Sequence, residues 1–166
     1  MLTQQEIALA RASMEFALAN GAQKVRVTLS KSLMELFGML NGELDKVTHA
    51  LDRSLQISLF VDGRFGSFSS NRLEEEGLKA FILSAIDTVR TLEPDSARDL
   101  PDPARTAKDA GTGLELGLSD PAYETLTADR RREMAVGTSL GLRKEGLEKG
   151  FTLLSEEGEY SDSLFD

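Results

Sequence analysis

The 166-residue sequence has no cysteine, no tryptophan, a single histidine and only four prolines, all of them between positions 94 and 121. Without cysteine there can be no disulfide, no thiolate zinc site and no cysteine nucleophile, and the composition fits a reducing compartment. One imidazole, His49, cannot build a histidine-based metal site within this chain. A Ser-His-Asp arrangement would have to recruit the same residue, and the Gly-x-Ser-x-Gly spacing of a nucleophile elbow is missing. No apolar run approaches the ~20 residues of a membrane helix, and Met1-Leu2-Thr3-Gln4-Gln5-Glu6 does not lead a basic stretch into an apolar one. We therefore read a cytoplasmic protein without a membrane partner. Positive charge is also in deficit: 19 Lys and Arg against 28 Asp and Glu leave a net charge of −9, a field that repels phosphate backbones. Aromatic residues make up 6% of the chain and do not interleave with basic ones, so no stacking platform for single strands is expected and no direct nucleic-acid partner.

What remains is an ordinary globular composition, 40% hydrophobic and 28% charged, at a length that suits one core, or one core plus an appendage. Thr3 followed by Glu6 predicts a capping box, and Ile7, Ala10, Met14, Ala17 and Leu18 recur at helical spacing until Asn20-Gly21, giving a helix over about Gln4 to Asn20. From Gln23 the period becomes two, with Val25, Val27 and Leu29 on one strand face. Met34 to Leu40 reads as a second strand, Asn41-Gly42 as a tight hairpin turn into Glu43-Leu44, and Ser54 to Val61 as a further strand with Leu55, Ile57, Leu59 and Val61 aligned. Asp62-Gly63 then turns the chain into Arg64 to Ser70, which makes five successive strands in a meander. Ser69-Ser70-Asn71 with Glu74 predicts the start of a helix whose buried stripe is Leu73, Leu78, Phe81, Ile82, Ala85, Ile86, Val89 and Leu92. The acidic run Glu74-Glu75-Glu76 suits the positive end of that helix dipole and needs no catalytic explanation.

Pro94 ends the helix and opens a connection rich in proline and glycine that reaches about Pro121. A third helix is expected over about Thr127 to Glu145, with Met134, Val136, Leu140 and Leu147 apolar. Phe151 to Ser155 reads as a strand, Glu157-Gly158 as a turn, and Glu159 to Phe165 as the beginning of another strand. The stop after Leu164-Phe165-Asp166, with no cap or polar tail, leads us to expect the front portion of a longer protein. The expected class is α+β: an antiparallel meander packed by two long helices, then a third helix and further strands. The expected division is an N-terminal domain over 1–93, a connection over 94–126, and a following region over 127–166.

Chemistry is thinly represented. Gly111-Thr112-Gly113-Leu114-Glu115-Leu116-Gly117 resembles a dinucleotide loop only in composition, since it follows a proline-rich stretch rather than a buried strand. Asp95, Asp99 and Asp102, and Glu156, Glu157 and Glu159, are the carboxylates that could serve acid-base work or hold Mg²⁺, although charge runs are more often solvated faces. Arg130-Arg131-Arg132 is a basic cluster opposing the helix dipole, which would make sense against an acidic partner surface. The residues supply no catalytic group, no cofactor-binding residue and no metal ligand set.

Several segments, in order, resemble the amino-terminal region of the TldD/PmbA family, also called modulator of DNA gyrase. They are Ala19-Asn20-Gly21-Ala22, Asn41-Gly42-Glu43-Leu44-Asp45-Lys46-Val47, Asp62-Gly63-Arg64-Phe65-Gly66-Ser67-Phe68-Ser69-Ser70, Pro94-Asp95, Leu100-Pro101-Asp102-Pro103 and Tyr160-Ser161-Asp162-Ser163. The resemblance implies a metallopeptidase family acting on unfolded or small peptides, in which a TldD-type subunit binds zinc through H-E-x-x-x-H and pairs with a PmbA-type (TldE) subunit. Gly66-Ser67-Phe68-Ser69-Ser70 and the Pro-Asp connection look more like the PmbA branch. By this resemblance the chain would be a non-catalytic region serving substrate enclosure and assembly, with a TldD-type partner or further copies of itself, and zinc would sit in the partner. The rival readings are a protein-binding regulatory module of the gyrase-modulator type and a carboxylate-based enzyme. A strand such as Ser54 to Val61, or one at the sheet edge, could pair with an extended peptide through main-chain hydrogen bonds.

Overall fold

The computed structural model describes residues 2–106, 116–150 and 153–166, with the side chains of Pro103 and residues 139–147 left aside. The order of elements is α1 (Gln4–Ala19), β1 (Lys24–Leu40), β2 (Glu43–Val61), β3 (Arg64–Ser70), α2 (Glu75–Arg90), α3 (Ala128–Glu148) and β4 (Glu157–Phe165). The strands form one antiparallel sheet in the order β3-β2-β1-β4. The α+β class expected from the sequence is therefore the observed one.

The described residues group into two compact units. The first comprises Met1–Ser32, Asp52–Thr106 and Phe165–Asp166, and the second Leu33–Leu51 and Ala107–Leu164. In the first, Leu55, Ile57, Leu59 and Val61 of β2 are fully buried against Leu78, Ile82, Ala85, Ile86 and Val89 of α2, with Ala17 of α1 beside them. Val25, Val27 and Leu29 of β1 close this core, so the period-two pattern of two strands meets the helical stripes on one face. In the second, Phe37 and Met39 pack with Ala135, Val136 and Tyr160.

The five expected strands are three. Ser30-Lys31-Ser32 and the polar stretch Asp45 to Arg53 interrupt the hydrophobic alternation, but neither contains glycine or proline, and the backbone stays extended through both. Both hairpin turns are as expected: Asn41 and Gly42 have φ of 52° and 83°, Asp62 and Gly63 51° and 73°, the left-handed pair that a type I′ turn requires. The start of α2 differs. Glu74 is its N-cap without a side-chain cap bond, while Ser70 Oγ accepts from the Arg72 N–H in a local turn instead. Leu92, expected in the buried stripe, lies beyond the helix and is 41% exposed. Glu157-Gly158, expected as a turn, belongs to β4, and residues 153–155 are not strand; Phe151 and Thr152 lie outside the described residues. So does most of the glycine-rich 111–117 stretch.

The capping box at α1 is complete. Thr3 Oγ1 accepts from the Glu6 N–H at 3.2 Å and Glu6 Oε2 accepts from the Thr3 N–H at 2.7 Å. The Glu6 carboxylate also accepts from the Thr3 hydroxyl at 2.9 Å, and the two bonds it accepts from Thr3, aided by Lys31 and Arg53, hold the carboxyl down at about 2 against an ordinary value of 4.5. A depressed carboxyl contributes its stabilisation above the unfolded value and loses it as pH falls toward the folded one. The end of α1 is therefore expected to loosen between about pH 4.5 and 2. Thr3→Ala should weaken the cap by about 1 kcal/mol and move the Glu6 carboxyl titration, followed by NMR, upward.

Candidate functional site

The carboxylates singled out in the sequence do not converge. Asp95 accepts from the Ala97 N–H and pairs with Arg98 at 3.5 Å; Asp102 caps the Ala104 N–H at 2.9 Å. Asp99 pairs with Lys24 at 2.5 Å and accepts from the Leu100 N–H, and these bonds, the lysine's first, hold its carboxyl below the ordinary range. The backbone of Glu156 bonds Asn41 at the end of β1, while Glu157 and Glu159 point outward from β4. These are structural tasks: loop turns, a latch and a strand end.

Arg131 departs most from expectation. Rather than facing an acidic partner, it is 7% exposed and holds Asp162 of β4 through Nε at 2.6 Å and Nη2 at 3.3 Å. It also donates to the Leu126 carbonyl and lies over the Tyr123 ring at 5.3 Å. The opposing helix dipole is outweighed by a buried carboxylate that tertiary folding brings alongside. Arg130 makes an ordinary surface pair with Glu133.

His49 Nδ1 lies 2.6 Å from Glu35 Oε1, and its side chain is 65% exposed. Among the described residues no group of three His, Asp or Glu side chains comes together to hold a metal ion. The donor set does not fit a zinc site, with one solvated imidazole and no thiol.

Two features of the surface do stand out. A groove of about 960 Å³ in the first unit is lined by Met14 and Leu18 of α1, the start of β1 from Gln23 to Val27, and Leu100 and Pro101 of the connection. One wall comes from the proline-rich stretch, which is tied to the unit by the Asp95 N–H on the Gly63 carbonyl, Arg98 over the Phe65 ring at 4.9 Å, and Lys24 on Asp99. The groove was not visible in the sequence because it needs α1, β1 and the connection together. The second feature is the pattern of strand edges. Ser54 to Val61, expected as one strand that could pair with a peptide, is interior and has no free edge: β3 pairs with it from Leu55↔Ser70 to Val61↔Arg64, and β1 is its other neighbour in the sheet.

The architecture is an α+β one, with an antiparallel sheet of long strands and helices. Residues 25–88 match the model for PmbA/TldA metallopeptidase domain 1. Among solved structures, a protein from Bacteroides thetaiotaomicron described as a modulator of DNA gyrase is 35% identical, with a TM-score of 0.86 over 99% of this chain and 36% of that one. TldE from Thermococcus kodakarensis and a modulator of DNA gyrase from Thermotoga maritima, each 17% identical, share the fold with TM-scores of 0.65 and 0.64. They are matched over 95% and 96% of this chain and 35% and 33% of their own lengths. No curated protein sequence matches. The chain belongs to the TldD/PmbA family, and what it contains is the family's N-terminal region. It spans about a third of the length of these solved relatives.

Proposed function

We propose that the chain is a non-catalytic part of a PmbA/TldE-like subunit in a peptide-degrading metallopeptidase complex, where it helps to enclose peptide and to assemble with a TldD-type subunit that carries the zinc. The observation that carries this reading is the match of residues 25–88 to the first domain of a metallopeptidase family. The missing cysteines suit a cytoplasmic setting, and no helix among the described residues is long and apolar enough to cross a membrane.

The test is biochemical. The purified chain is expected to carry no zinc by metal analysis, to hydrolyse no unfolded peptide alone, and to be retained by an immobilised TldD-type subunit. Peptide turnover or a tightly held zinc ion in the chain alone would overturn the reading. So would retention of a topoisomerase subunit in place of the TldD-type one.

A further inference from the structure

β3 covers only part of the side of β2 that faces away from β1. Its pairing reaches no farther than Leu55↔Ser70, where the chain leaves the sheet for α2. The earlier stretch of β2, from Glu43 to Arg53, therefore has β1 on one side and no paired strand among the described residues on the other. It is exposed almost throughout, Val47 and Leu51 each by 54%. Odd-numbered residues of β1 turn their main-chain groups toward β4, as the Asn41 N–H on the Glu156 carbonyl and the two bonds between Lys31 and Asp166 show. Residues opposite one another in an antiparallel pair point these groups both inward or both outward. Glu35 and His49 meet at 2.6 Å, odd against odd, so the N–H and C=O groups of Val47, His49 and Leu51 point away from β1 along the open edge.

Charged side chains on an edge ordinarily repel a foreign strand, but the order of charges here is matched by the same strand run backwards. A two-fold axis pairs β2 with a copy of itself antiparallel, and outward-facing residues must then lie opposite outward-facing residues, so the axis falls on a residue rather than between two. With the axis at His49, Asp45 faces Arg53, Lys46 faces Asp52, Val47 faces Leu51 and Thr48 faces Ala50. Both ion pairs and the aliphatic pair occur twice, once on each side of the axis. A shift to Thr48 sets Asp45 against Leu51 and Lys46 against Ala50, and a shift to Ala50 sets Val47 against Arg53 and Thr48 against Asp52. Neither neighbouring register matches these charges. Among the described residues Lys46 and Asp52 are exposed and have no ion-pair partner within the chain, while Arg53 reaches Glu6 at 3.4 Å and is half-exposed. We infer that the Asp45–Arg53 edge of β2 is a self-association surface, on which a second copy of the chain pairs the same strand about a two-fold axis at His49. This contact is separate from the association with a TldD-type subunit proposed above, and goes beyond it.

Sedimentation equilibrium of the 166-residue chain tests it, at about 0.15 M salt, where a Debye length of ~8 Å screens the net charge of −9 on each copy. A concentration-dependent dimer is expected. Lys46→Asp places like charges opposite Asp52 on both sides of the axis and should raise the dimer's dissociation constant about tenfold or more. The swap Lys46→Asp/Asp52→Lys restores both pairs and should bring the constant back to within about threefold of the original. Register is read by cross-linking, because a single introduced cysteine is the only thiol in the chain. His49→Cys puts two Cα atoms about 5.5 Å apart across the axis, inside the roughly 4.4–6.8 Å that a disulfide spans, and should oxidise to a covalent dimer. Val47→Cys leaves them about 13 Å apart and should not. A chain that stays monomeric at every concentration would overturn the inference, as would a dimer indifferent to Lys46→Asp. A swap that fails to restore the dimer, or cross-linking at Val47→Cys as fast as at His49→Cys, would overturn the pairing about His49. Retention by the TldD-type subunit decides the wider function independently of these outcomes.

Discussion

Replacing Asp162 with alanine is expected to destabilise the unit containing α3 and β4 by about 3–5 kcal/mol, the usual result of leaving a buried charge without its partner. Arg131 and Asp162 have side chains 8% and 13% exposed, so water cannot take over the lost bonds cheaply. Asp162 also accepts from the Tyr160 hydroxyl at 2.9 Å, so the substitution strands two donors, not one. Burial alone would push the Asp162 carboxyl up, but the bonds from Arg131 and Tyr160 outweigh it and the carboxyl sits below its ordinary 3.8. Its contribution is thus complete above that ordinary value and is lost as pH falls further, so an acid transition below about pH 4 should be present in the native chain and missing from Asp162→Asn. Urea unfolding monitored at Tyr160 checks both statements. A smaller loss in the double variant Arg131→Met/Asp162→Leu than in Asp162→Ala would confirm that the stranded guanidinium, rather than lost packing, sets the cost.

Gly66→Val should be comparably damaging, and for the opposite reason: too much volume rather than too little charge compensation. Gly66 pairs with Leu59 on the face that α2 covers, and a Cβ there would lie 2.6 Å from Val89 Cγ2 and 2.7 Å from the Phe68 ring. Val89 is fully buried and cannot swing aside. On an open strand surface the same change would be favourable, since valine is a better strand former than glycine. Here Gly66→Ala should cost about 1–3 kcal/mol and Gly66→Val more, because α2 must lift away from β3. Thermal unfolding of both variants, and partial recovery when Val89→Ala is added to Gly66→Ala, measures the clash directly. A neutral or stabilising Gly66→Val would mean that α2 does not sit this close to the strand.

Much of this could be read along the chain. The Asn41-Gly42 and Asp62-Gly63 turns, the Thr3/Glu6 capping box and the α2 stripe at Leu78, Ile82, Ala85, Ile86 and Val89 rest on neighbours within a few residues, where residue type governs backbone conformation. Strand length was harder. A polar interruption such as Ser30-Lys31-Ser32 changes what faces solvent without bending the backbone, so alternation broke where the strand did not. The Arg131–Asp162 pair, 31 residues apart, had no local signature, and a run of three arginines at a helix start looked like surface charge.

The sequence by itself determined the order of the long helices and the two tight turns at Asn41-Gly42 and Asp62-Gly63, the lack of a thiol or a second imidazole, and a resemblance that the family match bears out. Which strands are interior and how the proline-rich stretch comes to wall a groove were decided only by the tertiary structure. Periodicity reports which face of an element is buried. Edges and grooves depend on which distant segments lie side by side, and main-chain hydrogen bonding is nearly blind to the side chains that would have announced it.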